Sequence, residues 1–131
     1  MYTLYVKEKF NAAHRLLDYD GKCNNLHGHT WLVEVSLQGD KLDDQMMVVD
    51  FGLVKSIIRE FDHRVILNKN DPLVEFCEDL GLGVITLAGN PTAEILAQDL
   101  YLGLSEKLLD MTIKSVKVWE SENAWAEYTY C

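Results

Sequence analysis

The stretch Leu26-His27-Gly28-His29-Thr30-Trp31-Leu32-Val33-Glu34-Val35-Ser36-Leu37-Gln38 decides how the rest of the chain is read. Trp31, Val33, Val35 and Leu37 share one parity, with Glu34 and Ser36 on the other, the alternation of a half-buried strand from about Thr30 to Gln38. Extending the strand back from Thr30 puts His27 and His29 on one face, because side chains alternate with period two. Gly28 between them removes a side chain and lets the backbone come close to a ligand.

Upstream, Tyr2, Leu4, Val6 and Phe10 alternate with Thr3, Lys7 and Lys9, so Tyr2 to Phe10 is a second half-buried strand. The turn-rich run Asp18 to Asn25 is a loop between the two strands. Pairing of these strands would bring His14, four residues after Phe10, beside His27 and His29.

Downstream, Asp50 is placed to cap a helix whose stripe is Val54, Ile57, Ile58 and Phe61. Asp71-Pro72 opens a short helix through Leu80, and Gly83 to Leu87 forms a short strand. Asn90-Pro91-Thr92 is a helix entry, followed by a ridge of Leu96, Leu100, Leu104 and Leu108. Two strand-like runs close the chain, Ile113 to Glu120 and Ala124 to Tyr130, joined through Ser121-Glu122-Asn123. The main order is strand, strand, helix, helix, strand, strand. It implies an α+β layer architecture, a four-stranded antiparallel sheet with two main helices on one face. Trp119, Trp125 and several tyrosines leave the outer face weakly polar, which points to oligomerisation through the sheet.

The chain has 131 residues and a formal net charge of -9. That length suits one domain, residues 1–131, and the composition is that of a globular protein. The acidic balance argues against nucleic-acid or anionic-membrane partners, and no apolar run approaches the roughly 20 residues of a membrane span. The charged, alternating N-terminus is not a signal peptide, so a cytoplasmic protein is expected. Cys23, Cys77 and Cys131 are odd in number and widely spaced, which fits reduced thiols better than a disulfide scaffold.

Three of the chain's four histidines are His14, His27 and His29. Three neutral imidazoles with a fourth position open make a catalytic-type zinc site. His-x-His by itself is a weak signal; a third histidine on the adjacent strand strengthens it. Cys23, four residues before His27, is either a fourth ligand or a thiol near the metal that carries a proton. His63 follows Asp62 at the end of the first helix, a pairing that is usually a solvated helix end. Glu120 shares the parity of Val116 and Val118 and so points inward; by pattern alone a strand-end glutamate in water is the simpler reading.

Taken together, Phe10-Asn11-Ala12-Ala13-His14, Cys23-Asn24-Asn25-Leu26-His27-Gly28-His29, Phe61-Asp62-His63, Pro91-Thr92-Ala93-Glu94 and Trp119-Glu120-Ser121 resemble the 6-pyruvoyltetrahydropterin synthase and 6-carboxytetrahydropterin synthase family. The pieces occur in the family's order over nearly the whole chain, and Cys-x-x-x-His-Gly-His is the most specific. The resemblance implies the tunnelling fold, in which sheets of several subunits join into a barrel, and a homohexamer built as a dimer of trimers. It implies Zn2+ on His14, His27 and His29, with Cys23 as general acid/base rather than ligand. Asp62 and His63 become a second proton-transfer pair, Glu120 the residue that binds the guanidine-like edge of a pterin, and Thr92 part of that pocket's lining.

The three-residue spacer after the cysteine is similar to that of bacterial 6-carboxytetrahydropterin synthases of the queuosine pathway. The implied reaction converts 7,8-dihydroneopterin triphosphate to 6-carboxy-5,6,7,8-tetrahydropterin, acetaldehyde and triphosphate. The alternatives are a pyruvoyl or aldolase-type pterin lyase, and a non-catalytic zinc- or pterin-binding protein. Two departures from the family pattern are Arg64-Val65-Ile66, one residue longer than usual before Leu67-Asn68, and a longer segment from Lys69 to Gly89. The neighbourhood of Arg15 and Lys22 is where positive charge for a triphosphate is expected.

Overall fold

The computed structural model describes residues 1–130; Cys131, one of the three cysteines, lies outside them. The first two strands, β1 (Tyr2–His14) and β2 (His27–Gly39), pair antiparallel without interruption from Tyr2↔Gly39 to His14↔His27. On β1, Val6, Phe10, Ala12 and His14 face inward, and on β2 Trp31, Val33, Val35 and Leu37 do the same. β1 thus runs four residues past the expected end at Phe10 and carries His14 on its last position. Asn11, Ala12 and Ala13 have weak strand propensity, but a neighbour on each side completes their hydrogen bonding.

Helix α1 (Phe51–Ile58) starts at Asp50, whose carboxylate accepts from Gly52 N–H at 2.7 Å, and continues through a 3-10 turn, Arg59–Phe61. Its stripe Val54, Ile57, Ile58 and Phe61 is buried against the sheet. Next come β3 (Arg64–Asn68), α2 (Leu73–Asp79) and β4 (Val84–Leu87). Helix α3 (Ala93–Lys107) buries Leu96, Leu100 and Leu104, and β5 (Thr112–Ser121) and β6 (Ala124–Thr129) end the chain.

Among the described residues these strands form one six-stranded sheet, ordered β4-β3-β1-β2-β5-β6. The expected four-stranded antiparallel sheet is therefore corrected to a mixed sheet, in which β3 lies parallel to both β1 and β4. The unanticipated strand β3 has three consecutive apolar residues, Val65, Ile66 and Leu67, and no alternation. Such a run is typical of a short parallel strand, and periodicity cannot tell it from a piece of buried helix. Beside the two main helices, the short helix expected from Asp71-Pro72 through Leu80 is α2, and the short strand expected from Gly83 to Leu87 is β4.

The core lies between the sheet's inner face and helices α1 and α3. Phe10 stacks with Trp31 at a ring-centroid distance of 6.1 Å and meets Phe61 at a tilt of 31°, centroids 5.5 Å apart. Thr92 begins α3, its hydroxyl accepting from Ile95 N–H at 3.2 Å. Thr92→Ala should cost about 1 kcal/mol of stability for the lost cap, read as a lower urea midpoint with an unchanged slope. No helix of the described residues is long and apolar enough to cross a membrane.

Candidate metal centre and its surroundings

β1 and β2 end side by side, so His14 and His27 are cross-strand partners, and His29 projects from the same face one step along β2. Each of the three offers a ring nitrogen within 4.8 Å of the other two. Trp31 forms the floor, its ring meeting His14 and His29 edge-on at centroid distances of 4.9 and 5.3 Å.

Hydrogen bonding settles which nitrogens face inward. His14 Nδ1 lies 2.8 Å from the Pro91 carbonyl, and His27 Nδ1 lies 2.6 Å from the Asn25 carbonyl. A carbonyl only accepts, so each Nδ1 carries the proton and each neutral ring presents a bare Nε2. Those two Nε2 atoms are 3.1 Å apart, and His29 Nε2 is buried with no hydrogen-bond partner. Two lone pairs facing each other and a third orphaned nitrogen are unfavourable unless a cation lies between them. Tetrahedral Zn–N bonds of about 2.0–2.1 Å would space such nitrogens about 3.3 Å apart, so the pair fits zinc. Burial holds the His14 and His29 imidazoles below their ordinary pKa, which favours the neutral, metal-binding form.

Glu120 stands beside this cluster, near the end of β5. Its two carboxylate oxygens lie 3.8 Å from His29 Nε2 and 4.0 Å from His14 Nε2. It also lines a cleft of about 350 Å³ with Leu16, Thr92, Glu94 and Trp125. The inward parity is thus realised, and the carboxylate sits where the cleft meets the histidines.

Cys23 lies half-buried in a 3-10 turn, Lys22–Asn24, and is not one of the converging metal donors. Asp62 and His63 follow α1. Asp62 accepts from Asn11 N–H at 2.8 Å and lies 2.9 Å from His63 Nδ1. The hydrogen bonds from Asn11 and His63 hold the Asp62 carboxyl below its ordinary value. His63 has a left-handed backbone, φ 59°, unusual for a residue other than glycine, with its N–H bonded to Asn11 O at 2.7 Å. Its side chain is 80% exposed and lines a separate hollow of about 540 Å³ with Asn11, His29 and Arg64.

Arg15 does not offer a free charge to a phosphate. Its Nε and one terminal nitrogen each donate to Asp71 at 2.7 Å, and the Asp71 side chain is fully buried. Lys22 stays exposed. Sequence reasoning also missed the carbonyls of Pro91 and Asn25, which orient two of the histidines. The only signal for the first was Asn90-Pro91-Thr92, read as a helix entry.

The family model described as "6-pyruvoyl tetrahydropterin synthase" matches residues 3–131. The protein of Rickettsia conorii named "6-carboxy-5,6,7,8-tetrahydropterin synthase" is 33% identical, over 91% of this chain and 94% of that one. Among solved structures, an uncharacterized protein of Wolinella succinogenes superposes with a TM-score of 0.80 at 22% identity, covering 99% of this chain and 98% of that one. The 6-pyruvoyl tetrahydropterin synthase of Caenorhabditis elegans gives a TM-score of 0.67 at 26% identity, covering 99% and 96%.

Proposed function

The chain belongs to the 6-pyruvoyl tetrahydropterin synthase family, and from that premise we propose that it is a zinc-dependent 6-carboxy-5,6,7,8-tetrahydropterin synthase. The substrate is 7,8-dihydroneopterin triphosphate; the products are 6-carboxytetrahydropterin, acetaldehyde and triphosphate, with one water consumed to balance the atoms. This is a lyase step whose product enters the route to 7-deazaguanine and queuosine. The observation that carries the reading is the pair of bare imidazole nitrogens 3.1 Å apart. The name shared by relatives such as the Rickettsia protein supports the carboxy product.

His14, His27 and His29 would hold the zinc, which would supply Lewis acidity toward the side-chain oxygens of the substrate. Cys23 Sγ removes the proton from the side-chain carbon next to the pterin ring, and protons taken up at ring N5 and C6 bring the ring to the tetrahydro level of the product. Asp62 fixes the His63 tautomer through Nδ1, leaving Nε2 to exchange a proton with a side-chain hydroxyl of the substrate. Glu120 accepts hydrogen bonds from the amino and ring N–H edge of the pterin, a charge-assisted pairing. Thr92 spends its hydroxyl on capping α3 and lines the cleft beside Glu120.

We infer further that the enzyme is a hexamer of two stacked trimers whose sheets close into a barrel. Among the described residues, β6 has no partner strand on its outer edge, and β1 pairs with β3 only from Ala12 to His14. Such unpaired edges invite another strand. Tyr5 at 56% and Trp125 at 48% exposure add apolar surface for a neighbour to cover. The exposed His63 ring then lies within reach of a second subunit.

Purified zinc-loaded protein incubated with the triphosphate should yield 6-carboxytetrahydropterin and acetaldehyde, identified by mass. A pyruvoyl product or dihydropterin plus an aldehyde would move the protein to the alternative lyase reading. Binding without turnover would reject catalysis.

A further inference from the structure

The connection from β1 to β2, residues 15–26, carries Cys23 on a loop where strand pairing alone would not hold it. Loops of that length are ordinarily mobile, and a proton-transfer group needs a fixed position. Three successive residues at its start are tied down, each to a different place.

Arg15 is gripped by Asp71 through a two-bond fork, both contacts 2.7 Å, just ahead of α2. Leu17 is gripped by Asn90: its N–H donates to Asn90 Oδ1 at 2.9 Å, and Asn90 Nδ2 donates to its carbonyl at 3.1 Å. The Asn90 amide thereby pairs with the Leu17 backbone as an opposing strand would. Asn68 Nδ2 donates to the same Asn90 oxygen at 3.1 Å and fixes which way the amide faces. Leu16, held on both sides, donates its N–H to the Cys23 carbonyl at 2.9 Å. The turn around Cys23 is closed by Asn24 N–H to Gly21 O and Asn25 N–H to Lys22 O, at 3.1 and 3.0 Å. Asn25 O then lies against His27 Nδ1. Pro91, next to Asn90, gives its carbonyl to His14.

We propose that Asn90 and Asp71 are positioning residues for the Cys23 thiol, fixing the backbone on either side of the Leu16 N–H that holds the Cys23 carbonyl. The inference rests on the reading of Cys23 as the proton-transfer group. Neither side chain touches substrate; both act through Leu16. A loop anchor of purely structural value would change stability alone, whereas a positioning residue changes the chemical step. Asn90 is the better test site, because Asp71 also supports the start of α2.

The test uses zinc-loaded Asn90→Ala and Asn90→Asp. It reads kcat and KM with 7,8-dihydroneopterin triphosphate, zinc per chain, and the iodoacetamide alkylation rate of the Cys23 peptide by mass spectrometry. Asn90→Ala should lower kcat by about tenfold or more, a displacement effect, with KM within about twofold and zinc retained. Cys23 should alkylate several-fold faster as the tether opens. Asn90→Asp keeps the acceptor for Leu17 N–H but not the donor, and should fall between. Wild-type kcat and alkylation rate in folded Asn90→Ala would overturn the proposal, as would zinc loss in proportion to lost turnover. If Asn90→Ala does not fold, Asn90→Asp carries the same readouts. Cys23→Ser, run alongside, separates the two ideas: full turnover there rejects the thiol reading, while the Cys23 alkylation rate in the Asn90 variants still tests the tether.

Discussion

Cys23→Ala should lose about 10²–10⁴-fold in kcat while keeping its zinc, the range expected when a general acid/base is removed. The expectation follows from the site's division of labour. The converging donors are His14, His27 and His29, and the Cys23 sulfur is not among them. Removing the thiol therefore leaves the three proposed ligands and the carbonyls behind His14 and His27 untouched. His27→Ala gives the contrasting result: it deletes one of the two facing nitrogens and should lose metal and turnover together. Metal content by mass spectrometry beside single-turnover rates separates the two variants. Zinc loss in Cys23→Ala in step with activity would make the cysteine a ligand. Full activity would remove it from the chemistry.

The parts of this site that could be read in the sequence are those set by short-range periodicity. Period two along β2 put His27 and His29 on one face, and antiparallel pairing of the first two strands brought His14 beside them. The inward parity of Glu120 followed from Val116 and Val118 in the same way. Helix stripes did the same for α1 and α3. What escaped depends on partners far along the chain. Arg15 meets Asp71 across 56 residues, and Leu17 meets Asn90 across 73. Nothing local to Arg15 distinguishes a guanidinium reserved for a buried carboxylate from one free for a phosphate. Strand β3 escaped for another reason: Val65-Ile66-Leu67 sits between parallel neighbours and shows no alternation to read. The longer spacing before Leu67-Asn68 belongs to this strand. Asn68 is its last residue, and its amide is the one that orients Asn90.

The Arg15–Asp71 pair makes the second large prediction, on stability. Asp71 is 3% exposed, accepts both fork bonds from Arg15, and takes Leu73 N–H at 2.9 Å. Asp71→Ala would leave a guanidinium that is only 21% exposed without its partner. The expected loss is about 3 kcal/mol, measured by urea unfolding at neutral pH. Asp71→Asn, which keeps an acceptor for Leu73 but not the charge, should lose less. Replacing both members with apolar residues, Arg15→Met with Asp71→Leu, should recover part of the loss, because no buried charge is then stranded. The pH dependence has a definite sign. Hydrogen bonding from Arg15, foremost, holds the Asp71 carboxyl below its ordinary value of 3.8. A depressed carboxylate stabilises the fold fully above its unfolded-state pKa and loses that contribution as pH falls through the lower, folded value. The stability gap between wild type and Asp71→Ala should thus be constant from pH 7 to about 5 and shrink below about 4. Because the pair is shielded from solvent, added salt should change the gap little. A gap under about 1 kcal/mol at pH 7, or one that widens on acidification, would show that the fork does not hold this end of the loop.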